Sequence, residues 1–120
     1  TLSLSTVPLG GILLSDLVAR IPDVDAVFCI NDDIALGALF ECQRRQIAVP
    51  EQLAIVGFND LEFMASAVPA LTSVRTNRYE MGRKAIEMLS AAMDDKPPQQ
   101  RVADLGFEIV ARASSAPRRM

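Results

Sequence analysis

The run Ala26-Val-Phe-Cys-Ile-Asn-Asp-Asp-Ile-Ala-Leu-Gly-Ala-Leu39 constrains the fold more than any other feature of the chain. An apolar, strand-like stretch breaks off at Asn31-Asp32-Asp33, and a helix-forming stretch begins at once. Polar groups are thereby set at the carboxyl end of a buried strand, beside a helix N-terminus whose free N–H groups and dipole favour polar ligands. The device recurs at Leu53-Ala-Ile-Val-Gly-Phe-Asn-Asp60. Two polar-ended strands in one small sheet point to a site for a small molecule.

Half of the 120 residues are apolar and only 5% are aromatic, which predicts one domain with an aliphatic core. Apolar runs such as Ala26 to Ile30 are far short of the ~20 residues that a bilayer-spanning helix needs. No signal-peptide pattern opens the sequence, so the cytoplasm is the expected compartment, with no membrane partner. The formal charge of −3 gives no electrostatic footprint for a phosphate backbone, and the Arg118-Arg119 pair reads as a solvated tail. Cys29 and Cys42 fit neither a redox pair nor a zinc site and are expected as reduced core thiols. Without histidine there is no Ser/His or Cys/His nucleophile pair, and neither a metal, a cofactor nor catalysis is expected.

Pro8 suits the first turn of a helix that runs to about Arg20 and stops at Ile21-Pro22. Strands are expected at 26–30 and 53–57, with a helix from about Asp33 to Arg45 between them, which makes a parallel βαβ unit. Residues 58–70 read as irregular, 71–74 as a short strand, 78–94 as a long helix and 96–100 as a turn. Short strands at 101–105 and 107–112 hinge at Gly106, and the chain is expected to fray after Ala113.

Placed at roughly 100° per residue, Met81, Ala85, Met88 and Ala92 fill one side of the later helix, with charged residues opposite. A surface helix with one buried stripe is expected there. On the earlier helix Ile34, Ala38 and Cys42 form one stripe, and Leu36, Leu39 and Phe40 widen it. That helix needs a second burial partner, either another layer of the same protein or a second subunit. The apolar stretch Leu61-Glu-Phe-Met-Ala-Ser-Ala-Val68 adds to the same surface, with Phe63 and Met64 expected to be exposed.

Each candidate residue has a plain structural alternative. One of Asn31, Asp32 and Asp33 can serve simply as a helix cap, and Asn59-Asp60 simply as a turn. The functional alternative is that amides and carboxylates fixed at strand ends bind the hydroxyls of a polar ligand. Gly57 permits either close approach or an unusual dihedral. Neither a dinucleotide fingerprint nor a phosphate-binding loop is present. Asp32 and Asp60 could be drawn as a glycosidase pair, but nothing sets their separation.

These residues carry a close resemblance to the lactose-repressor/galactose-repressor (LacI/GalR) family of bacterial transcription regulators. Cys29-Ile-Asn-Asp-Asp-Ile-Ala-Leu-Gly-Ala38 resembles the family's strand-to-helix signature, Val49-Pro-Glu-Gln-Leu-Ala-Ile-Val-Gly-Phe-Asn-Asp60 its next strand, and Pro69-Ala-Leu-Thr-Ser-Val74 its crossover. The likeness spans about residues 8–112. Phe40-Glu-Cys-Gln-Arg44 and Asp104-Leu-Gly-Phe107 most resemble gluconate-type repressors.

The resemblance implies an α/β fold: the parallel-sheet C-terminal lobe of a periplasmic-binding-protein-like sensor, with the 78–94 helix belonging to the other lobe. Residues 1–113 would be a partial effector-binding domain and 114–120 a C-terminal tail. The DNA-binding helix-turn-helix would lie outside the 120 residues, so operator DNA would be bound only through that missing part. Effector, a sugar or sugar acid, would contact Asn31, Asn59, Asp32, Asp60 and Thr6. Asn59 stands where many members have a carboxylate, a departure that tolerates an anionic ligand. Thr6 stands about where several have an aromatic wall, and the effector-gripping arginine would lie upstream. A homodimer would form through Leu36, Phe40, Phe63 and Ala67. Two other classes compete: a free periplasmic-type sugar receptor, which needs an export signal, and a phosphoacceptor receiver domain, which needs a lysine at a late strand end.

Overall fold

The computed structural model describes residues 4–94 and 102–117. The expected turn at 96–100, the start of the strand at Arg101 and the Arg118-Arg119 tail lie outside the described residues. Helix α1 spans Val7–Arg20, strand β1 Ala26–Phe28, helix α2 Asp32–Arg44 and strand β2 Ala54–Phe58. A short helix α3 (Phe63–Ser66), strand β3 (Thr72–Thr76), helix α4 (Arg78–Met93) and strand β4 (Phe107–Val110) follow. A 3-10 turn at Ala113–Ser115 comes last. The sheet order is β1-β2-β3-β4, and β1, β2 and β3 run parallel.

Local chemistry explains the helix starts. The Thr6 hydroxyl accepts from Leu9 N–H at 3.2 Å, with Pro8 in the first turn. The Asn31 amide oxygen accepts from Ile34 N–H at 2.9 Å, and that of Asn77 from Glu80 N–H at 3.1 Å. Asp32 and Asp33 in the first turn of α2 and Arg44 in its last complement the helix dipole.

The chain divides into two compact units, residues 1–75 with 109–120, and residues 76–108. In the first, the core gathers Leu14 of α1, Ala35, Leu39 and Cys42 of α2, Ile55 of β2, and Met64 and Leu71. Helices α1 and α2 cross at a pair of glycines. A Cβ on Gly37 would lie 2.9 Å from Gly10 Cα and deeper still in the Val7 carbonyl oxygen, so only glycine permits this approach. The second burial partner that the wide apolar arc of α2 demands is therefore supplied in large part by α1 of the same chain. Leu36 is left half-buried and Phe40 40% exposed.

Met64, the C-terminal segment and residues 102–106 differ from expectation. Met64 is fully buried, not exposed, because the short helix α3 turns it under β2, where it meets Gly57. The segment after Ala113 does not fray through Ser115: Ser114 is fully buried, and its hydroxyl accepts from Thr72 N–H (2.8 Å) while donating to the Ile55 carbonyl (2.6 Å), bridging β3 and β2. Residues 102–106 form no strand, and Gly106 adopts φ +74°.

In the second unit, α4 carries ion pairs from Arg83 to Glu80 and Glu87 and from Lys84 to Glu87. Among the described residues the expected stripe is not buried: Met81 is 49% exposed, and no residue of α4 is enclosed. Its apolar residues have the right spacing for a stripe, but none of them is buried among the described residues.

Candidate effector site at the strand ends

The carboxyl ends of β1 and β2 carry the residues singled out from the sequence. Asn31 caps α2 through its oxygen, its two amide N–H donors make no hydrogen bond among the described residues, and it is partly exposed. Asn59 follows β2 directly. Its backbone N–H donates to the Val74 carbonyl at 2.9 Å, while its side-chain amide has no hydrogen bond among the described residues. Asn59 lies at φ 117° and Asp60 at φ 57°, so a tight turn does form, in a region that residues other than glycine rarely occupy. The Thr6 hydroxyl, exposed at the start of α1, is spent as a cap acceptor but keeps its own proton to donate.

Asp32 is placed differently from the expectation of direct ligand contact. It is fully buried, with Oδ1 accepting from the Ser73 hydroxyl at 2.7 Å and Oδ2 from Leu61 N–H at 2.6 Å. Its carboxylate ties the first turn of α2 to β3 and to the loop after β2. Gly57 makes room for it: a Cβ there would collide with Asp32 Oδ1 and lie 2.7 Å from Met64 Cε. Close approach, not an unusual dihedral, is thus what this glycine provides. Ser73, paired in register with Gly57, also accepts from Asp60 N–H at 3.0 Å.

The Asp60 carboxylate, with a side chain only 7% exposed, is held by two arginines. Arg75 meets Oδ2 through Nε (2.8 Å) and Nη2 (2.7 Å), and Arg112 Nη1 lies 2.8 Å from Oδ1. That Arg112 nitrogen also donates to the Leu71 carbonyl at 2.8 Å. Oδ1 is enclosed without a well-aligned hydrogen bond, so proximity to the Arg112 charge is what compensates it. Burial pushes the Asp60 carboxyl up, but Arg112 and then Arg75 outweigh it and hold it below the ordinary carboxylate range.

Ser73, Arg75, Arg112 and Ser114 were not legible as site-framing residues. Their partners are far away in sequence, and the third strand, Thr72-Ser-Val-Arg-Thr76, carries no local pattern that marks Ser73 or Arg75. The two thiols are buried in the core, and burial raises both Cys29 and Cys42 to about 11, which leaves them protonated at neutral pH. Among the described residues no cluster of His, Cys, Asp or Glu could hold a metal ion, and no helix is long and apolar enough to cross a membrane.

The periplasmic binding protein-like domain family matches residues 7–115. The HTH-type transcriptional regulator GntR of Pseudomonas aeruginosa is 49% identical over 111 residues, covering 92% of this chain and 32% of the relative. The HTH-type transcriptional regulator IdnR of Escherichia coli is 43% identical over 107 residues, covering 89% of this chain and 32% of the relative. The crystal structure of transcription regulator GntR from Chromobacterium violaceum superposes with a TM-score of 0.85 at 46% identity, over 94% of this chain and 42% of that one. A cellobiose complex of the transcriptional regulator CelR superposes with a TM-score of 0.85 at 31% identity, over 92% of this chain and 34% of that one. The chain spans about a third of the length of the curated relatives it matches. Those relatives are transcriptional regulators, not enzymes. With the match running from the first turn of α1 to the buried turn that holds Ser114, the chain belongs to the periplasmic binding protein-like domain family, in the form carried by LacI-type transcriptional regulators.

Proposed function

We propose that this chain is the effector-sensing part of a LacI/GalR-type transcription regulator. It takes up a sugar acid or related polyol, gluconate-like, at the carboxyl ends of β1 and β2, and the bound ligand alters operator affinity through a helix-turn-helix outside these 120 residues. The observation that carries the reading is Asn59, whose side-chain amide stands at the end of β2 with no hydrogen bond among the described residues. Asn31 adds two free donors at the end of β1, and Thr6 a hydroxyl. A neutral amide at position 59 binds hydroxyls without repelling an anionic ligand. Asp32 and Asp60 enter as the frame of the site, since their oxygens are committed within the chain. The names of the relatives, HTH-type transcriptional regulators, favour a regulator over a free sugar receptor of the same fold, and the proposal places it in the cytoplasm.

A homodimer belongs to the same proposal. Gln43 of α2 donates to the Val68 carbonyl at 2.9 Å, joining the outer face of α2 and the 61–68 segment into one surface that exposes Phe40 and Val68. Leu36, Phe63 and Ala67 are half-buried beside it.

The test is calorimetric titration of the intact regulator with gluconate, using substitutions that spare the scaffold. Asn59→Gly keeps the backbone conformation and removes the amide. Asn31→Asp keeps the capping oxygen and removes both donors. Each is expected to cost about 1–3 kcal/mol of binding, roughly 5- to 150-fold in affinity. Unchanged affinity in both variants would sink the site.

A further inference from the structure

We infer that Asp60 is a positioning residue for this site: bridged to Arg75 and Arg112, its carboxylate holds the Asn59-Asp60 turn at positive φ, so that the Asn59 amide is set before effector arrives. The inference rests on the effector reading proposed above and names what prepares that site.

A residue other than glycine at φ 117° is outside the ordinary left-handed well, and such a conformation persists only where its surroundings over-determine it. Here three successive N–H groups are each given a fixed acceptor: Asn59 to the Val74 carbonyl, Asp60 to Ser73 Oγ and Leu61 to Asp32 Oδ2. Those bonds fix where the turn sits. The side chain of Asp60 then guys it to two separate segments, the end of β3 through Arg75 and the stretch after β4 through Arg112. With Asp60 7% and Arg112 16% exposed at the side chain, this pairing is shielded from water in a way that surface ion pairs are not. Arg112 is itself fixed, since its N–H donates to the Thr72 hydroxyl at 2.8 Å and its guanidinium to the Leu71 carbonyl.

Within this cluster Asn59 is the residue proposed above to bind ligand through a free amide, so the benefit of the clamp reaches the ligand through that amide. A preset donor spares the ligand the cost of ordering it, and releasing the clamp returns that cost as weaker binding with every contact atom still present.

A double-mutant cycle in the intact regulator tests this, with gluconate as the probe. Asp60→Asn is expected to weaken binding about tenfold in the wild-type background and less than about twofold on Asn59→Gly, because glycine relieves the strain and leaves no amide to place. Arg75→Gln, a milder variant at the more exposed arm, is expected to weaken binding by an intermediate factor. Equal losses from Asp60→Asn in both backgrounds would mean a general stabilising role and would overturn the inference. Affinity lost with Asn59→Gly but kept with Asp60→Asn would overturn it alone, whereas affinity kept with Asn59→Gly would overturn the site reading as well. A ligand-independent readout decides the case in which gluconate does not bind. Hydrogen exchange at the Asn59, Asp60 and Leu61 amides should accelerate about tenfold in Asp60→Asn while the α2 amides keep their protection, and unchanged exchange at the turn would refute the clamp.

Discussion

Substituting Gly37 by alanine separates two physical effects that usually travel together. In a helix interior the change gains about 0.5–1 kcal/mol, because alanine loses less backbone freedom on folding. At Gly37 the added methyl would lie 2.9 Å from Gly10 Cα, against about 3.5–4.0 Å for carbon atoms at optimal contact, and would also collide with the Val7 carbonyl. Helices α1 and α2 must then part by about 1 Å, and overpacking of that kind costs about 1–3 kcal/mol. The net expectation is a loss of about 1–2 kcal/mol. Gly82 in α4 is the matched control, since a Cβ there meets nothing within 4 Å, and Gly82→Ala should show the gain alone. Urea titration followed by far-ultraviolet circular dichroism reads both: the midpoint falls for Gly37→Ala and rises for Gly82→Ala, with unchanged slope. Adding Gly10→Ala to Gly37→Ala should cost less than the sum of the two, because the helices are already apart. If Gly37→Ala stabilised the protein as much as Gly82→Ala, the helices could not be crossing at these glycines.

Asp60 predicts a pH dependence. Its carboxyl titrates below the ordinary 3.8, so its stabilisation is complete above that value and is lost as pH falls through the lower folded value. The stability difference between wild type and Asp60→Asn should therefore be constant above about pH 6 and shrink towards about pH 3; a difference independent of pH would refute the ion pairing. Glu41 and Glu80, also lowered by neighbouring arginines, contribute in the same direction to both proteins and cancel in the comparison. At the proposed subunit surface, Phe40→Glu is the clean probe because that ring is 40% exposed, whereas Leu36 is partly packed on the core. Sedimentation of the intact regulator should show monomers, and a persistent dimer would count against this face.

Elements with local causes were legible from the chain. Helix α2 begins at Asn31 because an amide oxygen there can reach the N–H three residues on, and α1 begins at Thr6 for the same reason. Strands β1 and β2 follow from apolar runs closed by polar residues, and β3 from the short stretch after Pro69. Their ends were misplaced by up to two residues, since pairing partners, not composition, terminate a strand. The breadth of the apolar arc on α2 was also legible, but its cover was not. A hydrophobic pattern measures how much surface a helix must bury and carries no label for the neighbour, which proved to be α1 closing through two glycines.

The strand-end residues divide along the same line. Sequence alone determined that Asn31-Asp32 and Asn59-Asp60 stand at the carboxyl ends of adjacent parallel strands, because chain direction and the βαβ crossover leave no other place for them. Only the tertiary structure decided that Asp32 turns inward to Ser73 and Leu61, that Asp60 is clamped by Arg75 and Arg112, and that the Asn59 side-chain amide is left without a hydrogen bond among the described residues. The partners of Asp32 lie 41 and 29 residues away. A carboxylate's choice between ligand and frame is made by which distant donors the packed core brings within about 3 Å, and no local pattern encodes that distance.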